Sequence, residues 1–139
     1  MTIKDDDLKK IIEDGDTKLL VDQAETFGSD LAKDIKDGKK VKVAKLTTSQ
    51  IRNFFGTVKK IEAKGFDPEG ERAFLLLKPK LAYAAKRAGN SKLNDLKDVL
   101  TKAIDMVIEG DDKGKQKRFD CFCNLFEAIL CYHKAAGGK

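Results

Sequence analysis

His133 is the one histidine in this 139-residue sequence, so a Ser-His-Asp or Cys-His catalytic system would have no other imidazole as base. On an α-helical wheel His133 falls about 40° from Phe119 and about 20° from Phe122. That places it on the apolar stripe of the last helical run, where a packed, hydrogen-bonded histidine is the expected role. Cys121 and Cys123 point about 160° apart on a helix, which a single zinc ion cannot bridge. Cys131 shares a side with neither. All three cysteines read as small buried hydrophobes with reduced thiols. Asp5-Asp6-Asp7 and Asp111-Asp112 read as solvated acid runs rather than cation ligands. Gly110-Asp111-Asp112-Lys113-Gly114 lacks the spacing and the preceding strand of a phosphate loop. The expectation is a protein that is not an enzyme, with no catalytic residues, no metal and no cofactor.

Cations carry more information. The sequence has 28 Lys and Arg against 23 Asp and Glu, a net +5, and 37% charged residues against the ~25% of ordinary domains. The total conceals a division. Residues 1–37 hold eleven acids and six lysines, a net −5, and residues 38–139 carry +10. Two windows contain basic residues and no acid: Gly38–Ile61, with Lys39, Lys40, Lys42, Lys45, Arg52, Lys59 and Lys60, and Arg72–Asn94, with Arg72, Lys78, Lys80, Lys86, Arg87 and Lys92. Such gaps point to a polyanionic partner.

The elements that must position these cations are helices. Ala, Leu, Lys and Glu are plentiful and only two prolines occur. The first 15 residues are expected to form either one short helix, carried by Leu8, Ile11 and Ile12, or a frayed segment. Leu20, Ala24, Phe27, Leu31 and Ile35 make one apolar stripe. A lysine-rich connector follows, locally extended where Val41 and Val43 alternate with Lys42. Thr47-Thr48-Ser49-Gln50 fits a capping box and opens a helix to about Ala63, with Ile51, Phe54, Phe55, Val58 and Ile61 inward. Asp67-Pro68 opens the next, with Phe74, Leu77, Leu81, Ala84, Ala85 and Ala88 inward and a kink or break expected near Leu77–Lys78 because of Pro79. Ser91 caps a helix burying Leu93, Leu96, Val99, Leu100, Ala103, Ile104, Val107 and Ile108. The last helix buries Phe119, Phe122, Phe126, Ile129 and Leu130. Gly38, Gly65, Gly89, Gly110 and Gly137 stand where left-handed helix ends are wanted. The fold class is all-α, a single-domain bundle of about five helices over residues 1–139, with an acidic part (1–37) and a basic part (38–139). No apolar stretch approaches the ~18–20 residues of a membrane span, and the start lacks a secretory apolar segment, so no membrane contact and a cytoplasmic location are expected.

On the wheel for residues 48–63, Arg52 and Lys59 share one outer strip, with Ser49, Asn53, Gly56 and Lys60 on the same half. On the following helix Lys80, Tyr83 and Arg87 stand at i, i+3 and i+7. Cation, ring, cation suits a nucleic-acid strand, since charges meet phosphates and the ring stacks on a base or sugar.

Three blocks in order carry a resemblance. Leu46-Thr47-Thr48-Ser49-Gln50-Ile51-Arg52-Asn53-Phe54-Phe55, Leu75 through Arg87, and Phe119 through His133 resemble the small subunit of type III-A CRISPR (Csm) effector complexes, the second protein of the Csm set. The likeness spans about residues 38–136, and the first 37 residues contribute nothing to it. It implies a non-catalytic helical subunit used in several copies, stacked head-to-tail along the channel where guide (crRNA) and target RNA pair, in antiviral defence. Its neighbours would be the backbone and large subunits of the Csm complex, which carry target cleavage, DNA cleavage and cyclic-oligoadenylate synthesis. The resemblance places RNA-backbone contacts at Lys45, Arg52, Lys78, Lys80 and Arg87. With the wheels, the expected RNA-binding set is Lys45, Arg52, Lys59, Lys78, Lys80, Tyr83, Lys86 and Arg87. Lys78 is discordant, because the wheel turns it toward the apolar face. Two or three neutralised phosphates per copy would give a log–log salt slope of about −2 to −3. The acidic part could meet a neighbour's basic part in a filament-forming contact, so that deleting residues 1–37 weakens association between copies. Two other classes fit the composition: a helical DNA-binding regulator using helix 48–63, which needs a shorter partner helix three or four residues upstream that the Lys39–Lys45 connector does not supply, and an assembly adaptor that meets only proteins.

Overall fold

The computed structural model describes residues 2–138. Its elements are α1 (Asp5–Ile12), α2 (Thr17–Leu31), β1 (Ile35–Asp37), β2 (Lys40–Val43), α3 (Thr48–Lys64), α4 (Pro68–Leu75), α5 (Leu77–Ala88), α6 (Ser91–Glu109) and α7 (Lys115–Ala135). The fold is all-α apart from the two-stranded antiparallel hairpin. Seven helices, rather than about five, follow from two local events: the N-terminal segment folds as α1, and the run from 68 to 88 breaks in two.

Sequence chemistry explains most helix starts. Thr47 and Gln50 form the expected capping box: the Gln50 N–H donates to Thr47 Oγ1 at 3.3 Å and the Thr47 N–H to Gln50 Oε1 at 2.8 Å. Asp67 accepts from the Gly70 N–H at 2.8 Å with Pro68 in the first turn of α4. The cap of α6 is Asn90 and not Ser91. Its Oδ1 accepts from the N–H groups of Lys92 and Leu93, and its Nδ2 donates to Ala44 O at 2.9 Å. The break falls at Leu76, one residue ahead of the expected site, and Pro79 sits in the first turn of α5, where a missing N–H costs nothing. Gly38, Gly65, Gly89 and Gly137 have positive φ; Gly110 instead has φ −77°, because Arg118 rather than a left-handed residue closes α6. The Arg118 guanidinium donates to Val107 O at 2.9 and 3.0 Å and to Asp111 O at 2.7 Å, satisfying carbonyls that a helix end leaves orphaned.

Helix α7 is the hub, packed against α1, α2, α3 and α6, most extensively against α2. The α2–α7 approach is close because Gly28 faces the α7 backbone: a Cβ built there would lie 2.5 Å from Ile129 O. One continuous core takes in Ile3, Leu8, Ile11, Ile12, Leu20, Ala24, Phe27 and Leu31 together with the later stripes. Residues 1–37 are therefore not a separable appendage. Ile3, Leu8, Ile11 and Ile12 are at most 1% exposed, so α1 is not frayed, and deleting 1–37 would remove core along with the exposed acids.

Three expectations about burial need correction. The stripe through Ile35 ends at Leu31; the Leu46 N–H then binds Leu31 O at 2.9 Å and the Lys45 N–H binds Asp34, so the chain turns into β1, where Ile35 is exposed. Ala88 and Cys131 are also exposed, whereas Cys123 is buried and Cys121 half-buried. Phe66, outside every expected stripe, stacks on Phe119 at 4.2 Å and meets Phe74 edge-on.

Candidate nucleic-acid interface

The eight residues expected to meet RNA divide into two groups. Three are already engaged. Lys59 donates to Glu62 at 2.7 Å and lies over the Phe55 ring. That hydrogen bond, with the charge of Glu62, raises the Lys59 pKa. The acid-free window ends one residue before Glu62, which is why composition overstates the free charge on α3. Lys78 pairs with Asp105 of α6, in keeping with the inward direction that the wheel assigns it. Lys45 is half-buried, and its ammonium reaches Gly137 O at 3.5 Å. Lys92, counted in the second basic window, is also withdrawn: it is 1% exposed and donates to Asp30 O at 2.7 Å at the end of α2.

Arg52, Lys80, Tyr83, Lys86 and Arg87 form the other group. All are exposed, and among the described residues none of the four cations makes an ion pair. Tyr83 is 66% exposed, unusual for an aromatic side chain. Because α3 packs on α7 and α4 while α5 packs on α6 and α4, a groove of about 410 Å³ remains between α3 and α5. Tyr83 and Arg87 line one wall and Gln50 and Asn53 the other; Phe54, Ala84 and Leu93 supply apolar surface. The small side chains of Ala84 and Ala88 keep it open. Arg52 is the neighbour of Asn53 on α3, and Lys80 precedes Tyr83 by one turn. Lys86 opens onto a different depression, beside the α5–α6 turn with Lys97. The structure thus brings together Asn53, Tyr83 and Arg87, with Lys80 on the same face of α5; Arg52 stands on the outer face of α3, turned away from the groove. Among the described residues no carboxylate lines the groove.

Phe54, expected in the core, sits at the edge of its apolar stripe and is only half-buried, because α3 and α5 stand apart there; Leu93 stays in the core as expected, 4% exposed, beneath the groove. His133 has the expected role. It is fully buried, its Nε2 donates to Leu46 O at 2.6 Å just ahead of the α3 cap, and Gly138 lies against its ring. The helix that precedes α3 is α2, ending at Leu31, and the hairpin lies between them, so the short upstream partner helix of a helix-turn-helix is not there. Among the described residues no group of His, Cys, Asp and Glu could hold a metal ion, and no helix is long and apolar enough to cross a membrane.

Comparison with known families decides the identity of the fold. The family model described as Csm2 Type III-A matches residues 14–139. The chain belongs to this family. It is a subunit of the type III-A CRISPR complex, alongside the other Csm subunits. The match starts well ahead of residue 38, where the resemblance in motifs begins, and so takes in α2. That helix contributes a packing face of common apolar residues against α7, which leaves no distinctive motif to notice. No curated protein and no solved structure matches the chain.

Proposed function

We propose that this chain is a non-catalytic, RNA-binding structural subunit that stacks in several copies along the guide and target RNA channel of the type III-A complex, supporting target RNA binding in antiviral defence. The observation that carries the reading is the set Arg52, Lys80 and Arg87, exposed cations that make no ion pair among the described residues; Arg87 lines the groove, Lys80 shares its face of α5, and Arg52 stands on the outer face of α3. A cation already neutralised by its own protein gains little from a phosphate, whereas a free one releases counterions from the nucleic acid when it binds. Contacts of this kind hold the backbone and read no sequence, which suits a subunit whose specificity is delegated to base pairing between guide and target. Lys45, Lys59 and Lys78 then serve mainly in the fold, and Lys86, exposed beside a different depression, stands apart from the three phosphate contacts.

Titration of single-stranded RNA with the full chain at several salt concentrations tests this. Three phosphate contacts at ~0.7 each give a log–log slope of about −2. Arg52→Ala combined with Arg87→Ala should reduce the slope by about 1.4, and Lys78→Ala should leave it unchanged. Salt-independent binding, or an unchanged slope in the double variant, rejects the assignment. Crosslinking of assembled complex to RNA at Arg52 or Tyr83 separates it from a protein-only adaptor.

A further inference from the structure

We propose that the α3–α5 groove is a receptor for one unstacked nucleobase of a single-stranded RNA, with its ring on Tyr83 and its phosphate at Arg87. This rests on the RNA-binding reading above and adds a base to what is otherwise a backbone contact. Five properties of the groove point there. Its apolar surface, from half-buried Phe54 and Ala84 above the buried Leu93, is the kind that a base leaving its stack needs in exchange for lost stacking. Tyr83 offers an aromatic face that is two-thirds exposed and carries no contact to another ring. The Asn53 side chain makes no hydrogen bond among the described residues, so both its donor and its acceptor can meet the edge of a base. The Gln50 carboxamide beside it is committed, because its oxygen accepts from Thr47. Among the described residues Arg87 is the one charged side chain in the lining, placed for the phosphate that accompanies the base. The volume of about 410 Å³ lies in the ~300–1,000 Å³ range of small-ligand sites. A donor-plus-acceptor amide and a bare ring do not discriminate among bases, so the site is tolerant of sequence.

The test compares binding of the full chain to a short single-stranded RNA and to the same ribose-phosphate backbone with abasic positions, at one salt concentration. Wild-type protein should bind the intact strand about fivefold more tightly, the lower end of what one stacked base contributes. Tyr83→Ala should abolish that preference, Tyr83→Phe should keep it, and Arg52→Ala should weaken both strands equally. Equal binding of intact and abasic strands with a salt slope near −2 overturns the base receptor and leaves the phosphate reading standing. Absence of salt-dependent binding to either strand overturns both. If Tyr83→Ala changes self-association of the chain and leaves the base preference intact, the groove seats protein and the proposal fails.

Discussion

Replacing glycine by alanine inside a helix normally stabilises it, by up to ~1 kcal/mol, through lost backbone freedom in the unfolded chain. Two mid-helix glycines of this protein should answer the same change with opposite signs. At Gly56 on α3, a Cβ meets nothing within 4 Å, so the full benefit is available. At Gly28 on α2, it would lie 2.5 Å from Ile129 O, 3.1 Å from Tyr132 Cβ and 3.2 Å from His133 N. Two of those atoms are α7 backbone and cannot rotate aside. Restoring ordinary contact means displacing α7 by on the order of 1 Å along the most extensive helix pair in the fold, and overpacking of that kind costs ~1–3 kcal/mol. Set against the propensity gain, Gly28→Ala should be destabilising by about 1–2 kcal/mol, and Gly56→Ala stabilising by about 0.5–1 kcal/mol. For a chain of this size the melting temperature should fall by roughly 3–10 °C in the first case and rise by roughly 2–5 °C in the second. Thermal melts followed by circular dichroism, with urea titrations to confirm unchanged m-values, measure both. A Gly28→Ala protein as stable as wild type would refute the close α2–α7 crossing. A destabilised Gly56→Ala protein would refute the open surface on α3. Because Gly56 shares the outer half of α3 with Arg52, the stabilised variant also serves the RNA titrations: unchanged affinity would show that the strand does not press against position 56.

Other consequences follow from single groups. Arg118→Ala should cost about 2–3 kcal/mol in urea unfolding, since it leaves Val107 O and Asp111 O without their charged donor, and Arg118→Lys should recover only part of it because an ammonium cannot reproduce the fork. The Gly114 N–H, and then Arg118, hold the Asp111 carboxyl below its ordinary pKa, so its contribution is complete above the unfolded value and is lost as pH falls through the folded one. Asp111→Asn should accordingly show a shallower loss of stability below about pH 4 than wild type, as read by melts across pH 5 to 2. A maleimide at pH 8 should label exposed Cys131 first, while Cys123, whose thiol burial pushes well up, stays protected until the chain unfolds; mass spectrometry of digested samples would show the order.

Much of the fold is legible in short stretches of sequence. The capping box at Thr47 and Gln50, the Asp67-Pro68 start and the apolar stripes each depend on residues within a turn or two, and they stand as expected apart from the stripe ends at Ile35 and Ala88. The His133 position on its wheel was enough to expect a packed histidine. The end of α2 at Leu31, by contrast, is set by Leu46, whose N–H takes the Leu31 carbonyl from across the hairpin. The Asn90 cap gains a second partner, Ala44, from 46 residues away, which no local pattern displays.

The candidate interface divides along the same line. Periodicity suffices to put Arg52, Lys80, Tyr83 and Arg87 on outer helix faces, because a wheel depends only on the backbone repeat. Whether a lysine on such a face is free depends on what packs beside it. Glu62 claims Lys59 within a single turn, but Asp105 claims Lys78 from another helix and Gly137 meets Lys45 from the far end of the chain. The groove itself belongs to no one helix. It exists because α3 and α5 lean on different neighbours, so the gap between them, with Asn53 on one wall and Tyr83 and Arg87 on the other, is a product of packing rather than of any local run of residues.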